Sequence, residues 1–222
     1  MSITIDRLIR SKRRTVALIV EANGMITVRA PMHMSMMNIQ EFVAQHANWV
    51  EKKKAEMHAA IPSLPKQYVL GETFLYLGRE YPLEVIPAQP TKLIFDDHFK
   101  ITESALGNAE AVFQNWYRQQ ARVFFAERVK FFTNLYGFHY EKIKITSART
   151  RWGSCSPKNT LSFSWRLIMT PVDIADYVVV HELAHTVHHN HSKRFWGLVE
   201  KILPDHKKRR KQLNQYGQQA LL

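Results

Sequence analysis

The chain has 222 residues, of which 45% are hydrophobic and 23% are charged, fractions that are ordinary for a folded globular protein and exclude a disordered chain. No uncharged apolar run is long enough to predict a membrane span or a signal peptide, so we expect no membrane partner. Lysine and arginine (31) exceed aspartate and glutamate (19) by 12, so the surface should attract anions, and nucleic acid is a candidate partner.

The first hundred residues predict short strands and one helix. Alternating segments over 16–21 and 25–29 flank Asn23-Gly24, a strong signal for a two-residue hairpin. Apolar side chains recur at helical spacing over about 38–57, which predicts a helix. Short alternating segments between 68 and 101 then predict a meander of small strands.

The boundary between two regions is expected near residue 104. Gly107-Asn108 interrupts the strand pattern, and a wide, aromatic apolar face over 109–136 predicts one long helix. No catalytic constellation precedes this point. We therefore predict a β-rich N-terminal region with one helix over 1–104 and a catalytic region over 105–222.

Two alternating segments, 142–148 and 161–167, predict a β-hairpin, with a loop of turn-forming residues between them. The helix that follows carries a candidate metal-binding motif. A strand edge beside such a metal can hold an extended peptide, and Arg151, Trp152 and Arg166 are the candidates for substrate binding. The alternative is that these arginines face solvent or an internal carboxylate. Cys155, the single cysteine, cannot form an internal disulfide, which predicts a reducing, cytoplasmic location.

An apolar helix follows and carries the motif His181-Glu182-Leu183-Ala184-His185. Thr170 is predicted to be its N-cap, with Pro171 at the first helical position. On a helix His181 and His185 lie one turn apart on one face, so both imidazoles can reach a single metal ion. Glu182 lies beside them, where it can accept a proton from metal-bound water.

A third metal ligand must come from chain that has left this helix. In a continued helix His188 or His189 would lie about 10–12 Å beyond His181 along the axis. Two nitrogens on one zinc ion cannot be more than about 4.2 Å apart. His191 is the nearest candidate if the chain turns back, and Glu200 on the next predicted helix is the competitor. His188 and His189 would then stay outside the ligand set.

Several segments together carry a family resemblance, and the match is dense from about residue 145 to 204. The residues that carry it are Arg151-Trp152-Gly153-Ser154-Cys155-Ser156, residues 161–167, Pro171, residues 176–185, Asn190-His191-Ser192 and Phe195-Trp196. They closely resemble the YgjP-like family of predicted metal-dependent hydrolases, relatives of the SprT and WLM zincin metallopeptidases. The resemblance implies a zincin-like catalytic domain, one zinc ion bound by His181, His185 and His191, and Glu182 as the general base.

These observations predict an α+β protein in which the motif helix packs beside a small antiparallel sheet. The expected function is a zinc-dependent metallopeptidase acting on protein or peptide substrates, with water activated by Glu182. One alternative is a zinc hydrolase of nucleotides or other small phosphoanhydrides, which the basic surface would also suit. The other is a nucleic-acid-binding module with structural zinc. Glu182 argues against the last, since a closed structural site does not use a carboxylate beside an open position.

Overall fold

The computed structural model describes residues 3–21, 24–59 and 66–219. The chain divides into two compact units, Met1–Ser63 and Leu64–Leu222. The boundary expected at residue 104 therefore lies inside the second unit. The reason is that strands before residue 104 and the long helix after it bury their apolar side chains in one core.

The first unit contains a three-stranded sheet and two helices. Its strands are β1 (Arg7–Ser11), β2 (Ala17–Val20) and β3 (Ile26–Pro31), in the order β1-β3-β2. Strand β2 pairs antiparallel with β3, as the Asn23-Gly24 signal predicts, although Asn23 itself lies outside the described residues. Gly24 has a φ of 82°, a conformation that favours glycine. The apolar face of β3 packs on the helices and forms a separate small core.

The single helix predicted over 38–57 is instead two helices, α1 (Met36–Gln45) and α2 (Ala47–Ala59). His46 interrupts them with φ −103° and ψ 15°, outside the helical range. Its ring Nδ1–H donates to the carbonyl of Phe42 at 2.8 Å. The apolar spacing continues across this break, so the hydrophobic pattern alone did not reveal it.

The second unit begins with a four-stranded sheet that packs on a long helix. The strands are β4 (Thr73–Tyr76), β5 (Arg79–Ile86), β6 (Leu93–Phe95) and β7 (Phe99–Thr102), in the order β4-β5-β7-β6. Helix α3 (Ala109–Tyr136) matches its predicted range and ends at Gly137, whose φ is 72°. Phe99, Phe113 and Tyr117 are fully buried between the sheet and the helix.

A second sheet of this unit leads to the motif helix. Its strands are β8 (Lys142–Thr146), β9 (Gly153–Cys155) and β10 (Thr160–Ser164), in the order β8-β10-β9. The predicted hairpin and the predicted antiparallel sheet are wrong here, because β8 pairs parallel with β10 and only β9 pairs antiparallel. The long connection from β8 to β10 permits this crossover and contributes β9 itself. The strand predicted to reach Leu167 also ends at Ser164 and continues as a short 3₁₀ helix over Trp165–Met169.

Three helices complete the unit: α4 (Val172–Ala184), α5 (Lys193–Ile202) and α6 (His206–Gln219). The N-cap of α4 is Pro171 and not Thr170, whose hydroxyl donates to the carbonyl of Leu167 at 2.8 Å. Helix α4 is buried along nearly its whole length, as its apolar sequence predicts. Mixed helices and several small sheets make this an α+β protein. Within the described ranges no helix is both long and apolar enough to cross a membrane.

Candidate metal centre

His181 lies in the last turn of α4 and His185 directly follows the helix, with their ring centroids 4.9 Å apart. The helix ends at Ala184 and His185 is its C-cap. Because α4 is packed on nearly all sides, the backbone under both imidazoles is fixed. Such rigidity keeps ligand side chains in place before any ion binds.

The chain reverses directly after α4 and returns His191 to the same point. The backbone N–H groups of Val187 and His188 both donate to the carbonyl of Ala184, which closes the last turn tightly. The Nε2 atoms of His191 and His181 are 3.1 Å apart. Nitrogens of His181, His185 and His191 all lie within 4.8 Å of one another.

This donor set fits a zinc ion. Two histidine nitrogens on tetrahedral zinc are about 3.4 Å apart, given Zn–N bonds of about 2.0–2.1 Å, and the observed separations need only small side-chain shifts. Burial lowers the pKa of His181 to about 3, with further lowering by His185 and His191. Burial likewise lowers the pKa of His185. Both imidazoles are therefore neutral near pH 7, the form that binds metal.

The backbone of His188 orients one of these imidazoles. The Nδ1–H of His185 donates to the carbonyl oxygen of His188 at 3.1 Å. Because a carbonyl can only accept, this bond places the proton on Nδ1 and leaves the Nε2 lone pair for a metal. Sequence reasoning left His188 without a role, and its contribution comes from its main chain.

Aromatic side chains of α5 pack against all three imidazoles. The Phe195 ring is fully buried, and its centroid lies 5.0, 4.5 and 4.8 Å from those of His181, His185 and His191. Trp196 stacks on His191 at 5.6 Å. Ser192 caps α5 by accepting from the N–H of Phe195 at 3.4 Å, which fixes the start of the helix. Phe195 and Trp196 thus pack beside the imidazoles of His181, His185 and His191, which together form the histidine group.

Glu182 lies on α4 between the two helical histidines and is 5% exposed. Burial raises the pKa of Glu182 to about 8. The positive charge of Arg151 and a hydrogen bond from the N–H of Cys155 lower this pKa, but by less than burial raises it. A carboxyl group with a pKa near neutrality can both accept and release a proton, which is what a general base and acid requires.

Strand β9 holds this carboxyl group in place. A Cβ atom added at Gly153 would lie 2.7 Å from Oε1 and 2.8 Å from Cγ of Glu182, so no larger residue fits there without movement. The thiol of Cys155 has a pKa raised to about 11, mainly by burial. Cys155 is not part of the histidine group. Neither Gly153 nor the Cys155 N–H was identified from the sequence as a partner of Glu182.

The predicted substrate-binding residues lie in different places. Arg151 is exposed and acts electrostatically on Glu182. Trp152 packs against the main core, and its carbonyl accepts from the N–H of Ser164 at 2.8 Å. Arg166 is only 5% exposed, and it donates to the carbonyl of Ser147 at 3.2 Å. It is therefore largely shielded from solvent, and within the described ranges it forms no ion pair with a carboxylate.

The remaining candidate ligands lie outside the histidine group. The side chain of Glu200 is exposed and pairs with Lys207 at 3.5 Å. His189 is exposed as well, and the group that contains His181 includes no side chain of His188 or His189.

A histidine triad beside a buried glutamate on an HExxH helix is the arrangement expected of a metal-dependent hydrolase. The model of the YgjP-like family, described as a YgjP-like metallopeptidase domain, matches residues 14–216. The chain therefore belongs to the YgjP-like metallopeptidase family, which confirms the resemblance drawn from the sequence.

Other comparisons add little. The metallopeptidase zymogen of Pyrococcus abyssi abylysin is 20% identical, with a TM-score of 0.38, over 40% of this chain and 90% of that one. A TM-score this low does not establish a shared fold. No curated protein matches the chain.

Proposed function

We propose that the protein is a zinc-dependent metallopeptidase. His181, His185 and His191 would bind one zinc ion, and Glu182 would serve as the general base. The observation that carries the proposal is the convergence of three imidazoles on one point beside a buried carboxyl group. Membership of a metallopeptidase family supports the peptide-bond chemistry.

The bound metal and the residues around it would have different roles in the reaction. When bound, zinc supplies a Lewis acid that acidifies water and polarises the substrate carbonyl. Glu182 accepts the proton of the attacking water and then delivers it to the leaving amine. Gly153 and the Cys155 N–H keep the Glu182 carboxyl group in one position throughout.

A strand edge next to Glu182 supports a peptide as the substrate. Strand β9 is at the edge of its sheet, with β10 as its partner among the described residues. An extended peptide can add to such an edge through main-chain hydrogen bonds. Because Gly153 of β9 contacts Glu182, a peptide on this edge would run past the general base.

The structural-zinc alternative requires a fourth protein ligand. Within the described ranges, the group around His181 contains three ligand side chains, which leaves a position for water. The phosphoanhydride alternative is favoured by Arg118, Arg149 and Arg166, which form no ion pair with the carboxylates that the structure describes. Casein cleavage and pyrophosphate release from nucleoside triphosphates should be measured side by side with zinc-loaded protein. We expect casein fragments, and pyrophosphate release without proteolysis would overturn the peptidase proposal.

The ligand assignment is tested by alanine variants of the neighbouring histidines. We expect His191→Ala to lower bound zinc by at least about 10-fold, because it removes one of three nitrogens. His189→Ala is the matched control, since it changes an exposed histidine two residues away and should keep its zinc. Metal content after dialysis, measured by mass spectrometry, gives the answer. Equal zinc in both variants would remove His191 from the ligand set.

A further inference from the structure

Two arginines lie over the indole of Trp165, and a third arginine from another segment acts electrostatically on one of them. Arg166 lies in the same 3₁₀ helix, with its guanidinium carbon 4.2 Å from the ring centroid. The guanidinium carbon of Arg118, on α3, is 5.9 Å from the same ring. Arg149 lies in the segment before β9, and its charge acts on Arg166.

Ser147 joins the first two arginines. Arg166 donates from a terminal nitrogen to the Ser147 carbonyl oxygen at 3.2 Å. Arg118 donates to the Ser147 hydroxyl oxygen at 3.0 Å. Two cations are thus held against one residue, although like charges repel.

Within the described part of the chain, no carboxylate pairs with these three arginines. Among the ion pairs of the described residues, none includes Arg118, Arg149 or Arg166. Elsewhere in the unit the pattern differs, since Arg128 pairs with Asp176 and Arg209 with Asp205. Burial and the two neighbouring arginines lower the pKa of Arg166, so its charged form is less favoured in the protein than in water.

The Arg166 guanidinium also has an unused donor. Its Nε is buried and has no hydrogen-bond partner among the described residues, while the residue as a whole is 5% exposed. A guanidinium presents its donors as a planar fork that matches the oxygens of a carboxylate or a phosphate. Ser147 and Arg149 are exposed, so the cluster is open to solvent on that side.

We propose that Arg118, Arg149 and Arg166 form a binding site for an oxyanion, either a carboxylate or a phosphate group. The segment that carries Arg149 continues through Arg151 and Trp152 into β9, which contacts Glu182. An anionic group bound here is therefore held by the segment that borders the candidate general base. Binding at this site does not depend on the proposed peptidase activity and can be measured without it.

The test is a calorimetric titration of the whole protein with inorganic phosphate at constant ionic strength. We expect wild type to bind, and both Arg118→Met and Arg149→Met to weaken binding by about 10-fold or more, the value of one charge-assisted hydrogen bond. Arg122→Met is the matched control, because Arg122 is exposed on α3 one turn after Arg118. It should bind phosphate as wild type does.

A second titration distinguishes a peptide carboxylate from a phosphate group as the bound anion. An N-acetylated dipeptide with a free carboxylate is compared with its amide. Binding of the carboxylate but not the amide assigns the site to a peptide end, and binding of phosphate alone assigns it to a phosphate group. Absence of binding by all three probes would overturn the proposal, as would equal phosphate affinity in wild type, Arg118→Met and Arg149→Met.

Discussion

Burial acts in opposite directions on two adjacent residues of the candidate site. It raises the pKa of Glu182 to about 8 and lowers the pKa of His181 to about 3. In both cases the environment disfavours the charged form. The metal-free protein at neutral pH therefore holds a neutral carboxyl group and a neutral imidazole side by side, and Glu182 must release its proton before it can act as a general base.

The pH dependence of stability follows from these shifts. Between pH 4.5 and about 8 the folded protein keeps the Glu182 proton that the unfolded chain releases, so stability falls as pH rises. His181 acts in the opposite sense, but only between about pH 3 and 6.5. Above pH 6.5, Glu182 still makes stability depend on pH, whereas His181 no longer does.

We therefore expect metal-free wild type to lose about 1.5 kcal/mol more unfolding free energy than Glu182→Gln between pH 6.5 and 8. The Glu182→Gln protein cannot ionise at this position and carries every other titrating group, so it is the control. Urea unfolding of both proteins at the two pH values measures the difference. Parallel pH profiles would contradict the burial-raised pKa of Glu182.

Substitution of Gly153 should disturb the candidate general base directly. In Gly153→Ala the new methyl group would press on the Glu182 carboxyl group, which lies 2.7 Å from the Cβ position. Displacement of a catalytic group by about 1 Å can cost about 100-fold in rate, so we expect kcat/KM for peptide hydrolysis to fall by that order. Zinc content should not change. Gly197→Ala is the control, because nothing lies within 4 Å of its Cβ position.

At the scale of secondary-structure elements, one ion pair fastens the motif helix to the long helix. Arg128 of α3 donates to both carboxylate oxygens of Asp176 on α4, at 2.6 and 2.7 Å. Asp176 is 8% exposed and lies five residues before His181. The pair therefore helps to set the position of α4 on the core.

Removal of the Arg128 cation should lower the unfolding free energy far more than removal of an exposed arginine. In Arg128→Met the Asp176 carboxylate remains buried without its partner, and we expect the unfolding free energy to fall by about 3 kcal/mol. Arg122→Met, an exposed substitution on the same helix, should change it by less than about 0.5 kcal/mol. Denaturant titrations compare the two. Losses of equal size would show that the ion pair does not fasten α4.

At the scale of the whole molecule, elements with strong local signals were predictable. Helix α3 and helix α4 follow from apolar periodicity, since each carries its own pattern over many residues. Distance also excluded His188 and His189 as ligands, because a continued helix cannot bring them to the ion, but it left His191 and Glu200 as alternatives. Local sequence is sufficient where one segment determines the geometry.

Features that depend on pairing between distant segments were not predictable in this way. The parallel pairing of β8 with β10 and the insertion of β9 reverse the expected hairpin, because alternation reports a strand but not its partner. The contact of Gly153 with Glu182 depends on that pairing. Arg118, Arg149 and Arg166 likewise come from three segments, and the sequence did not bring them together.

The most direct test of the account compares casein cleavage by wild type and Glu182→Gln at equal, measured zinc content. We predict that wild type releases peptides and that Glu182→Gln retains its zinc but is slower by about 100- to 10,000-fold, the usual contribution of a general base. Cleavage at the same rate by both zinc-loaded proteins would contradict the account.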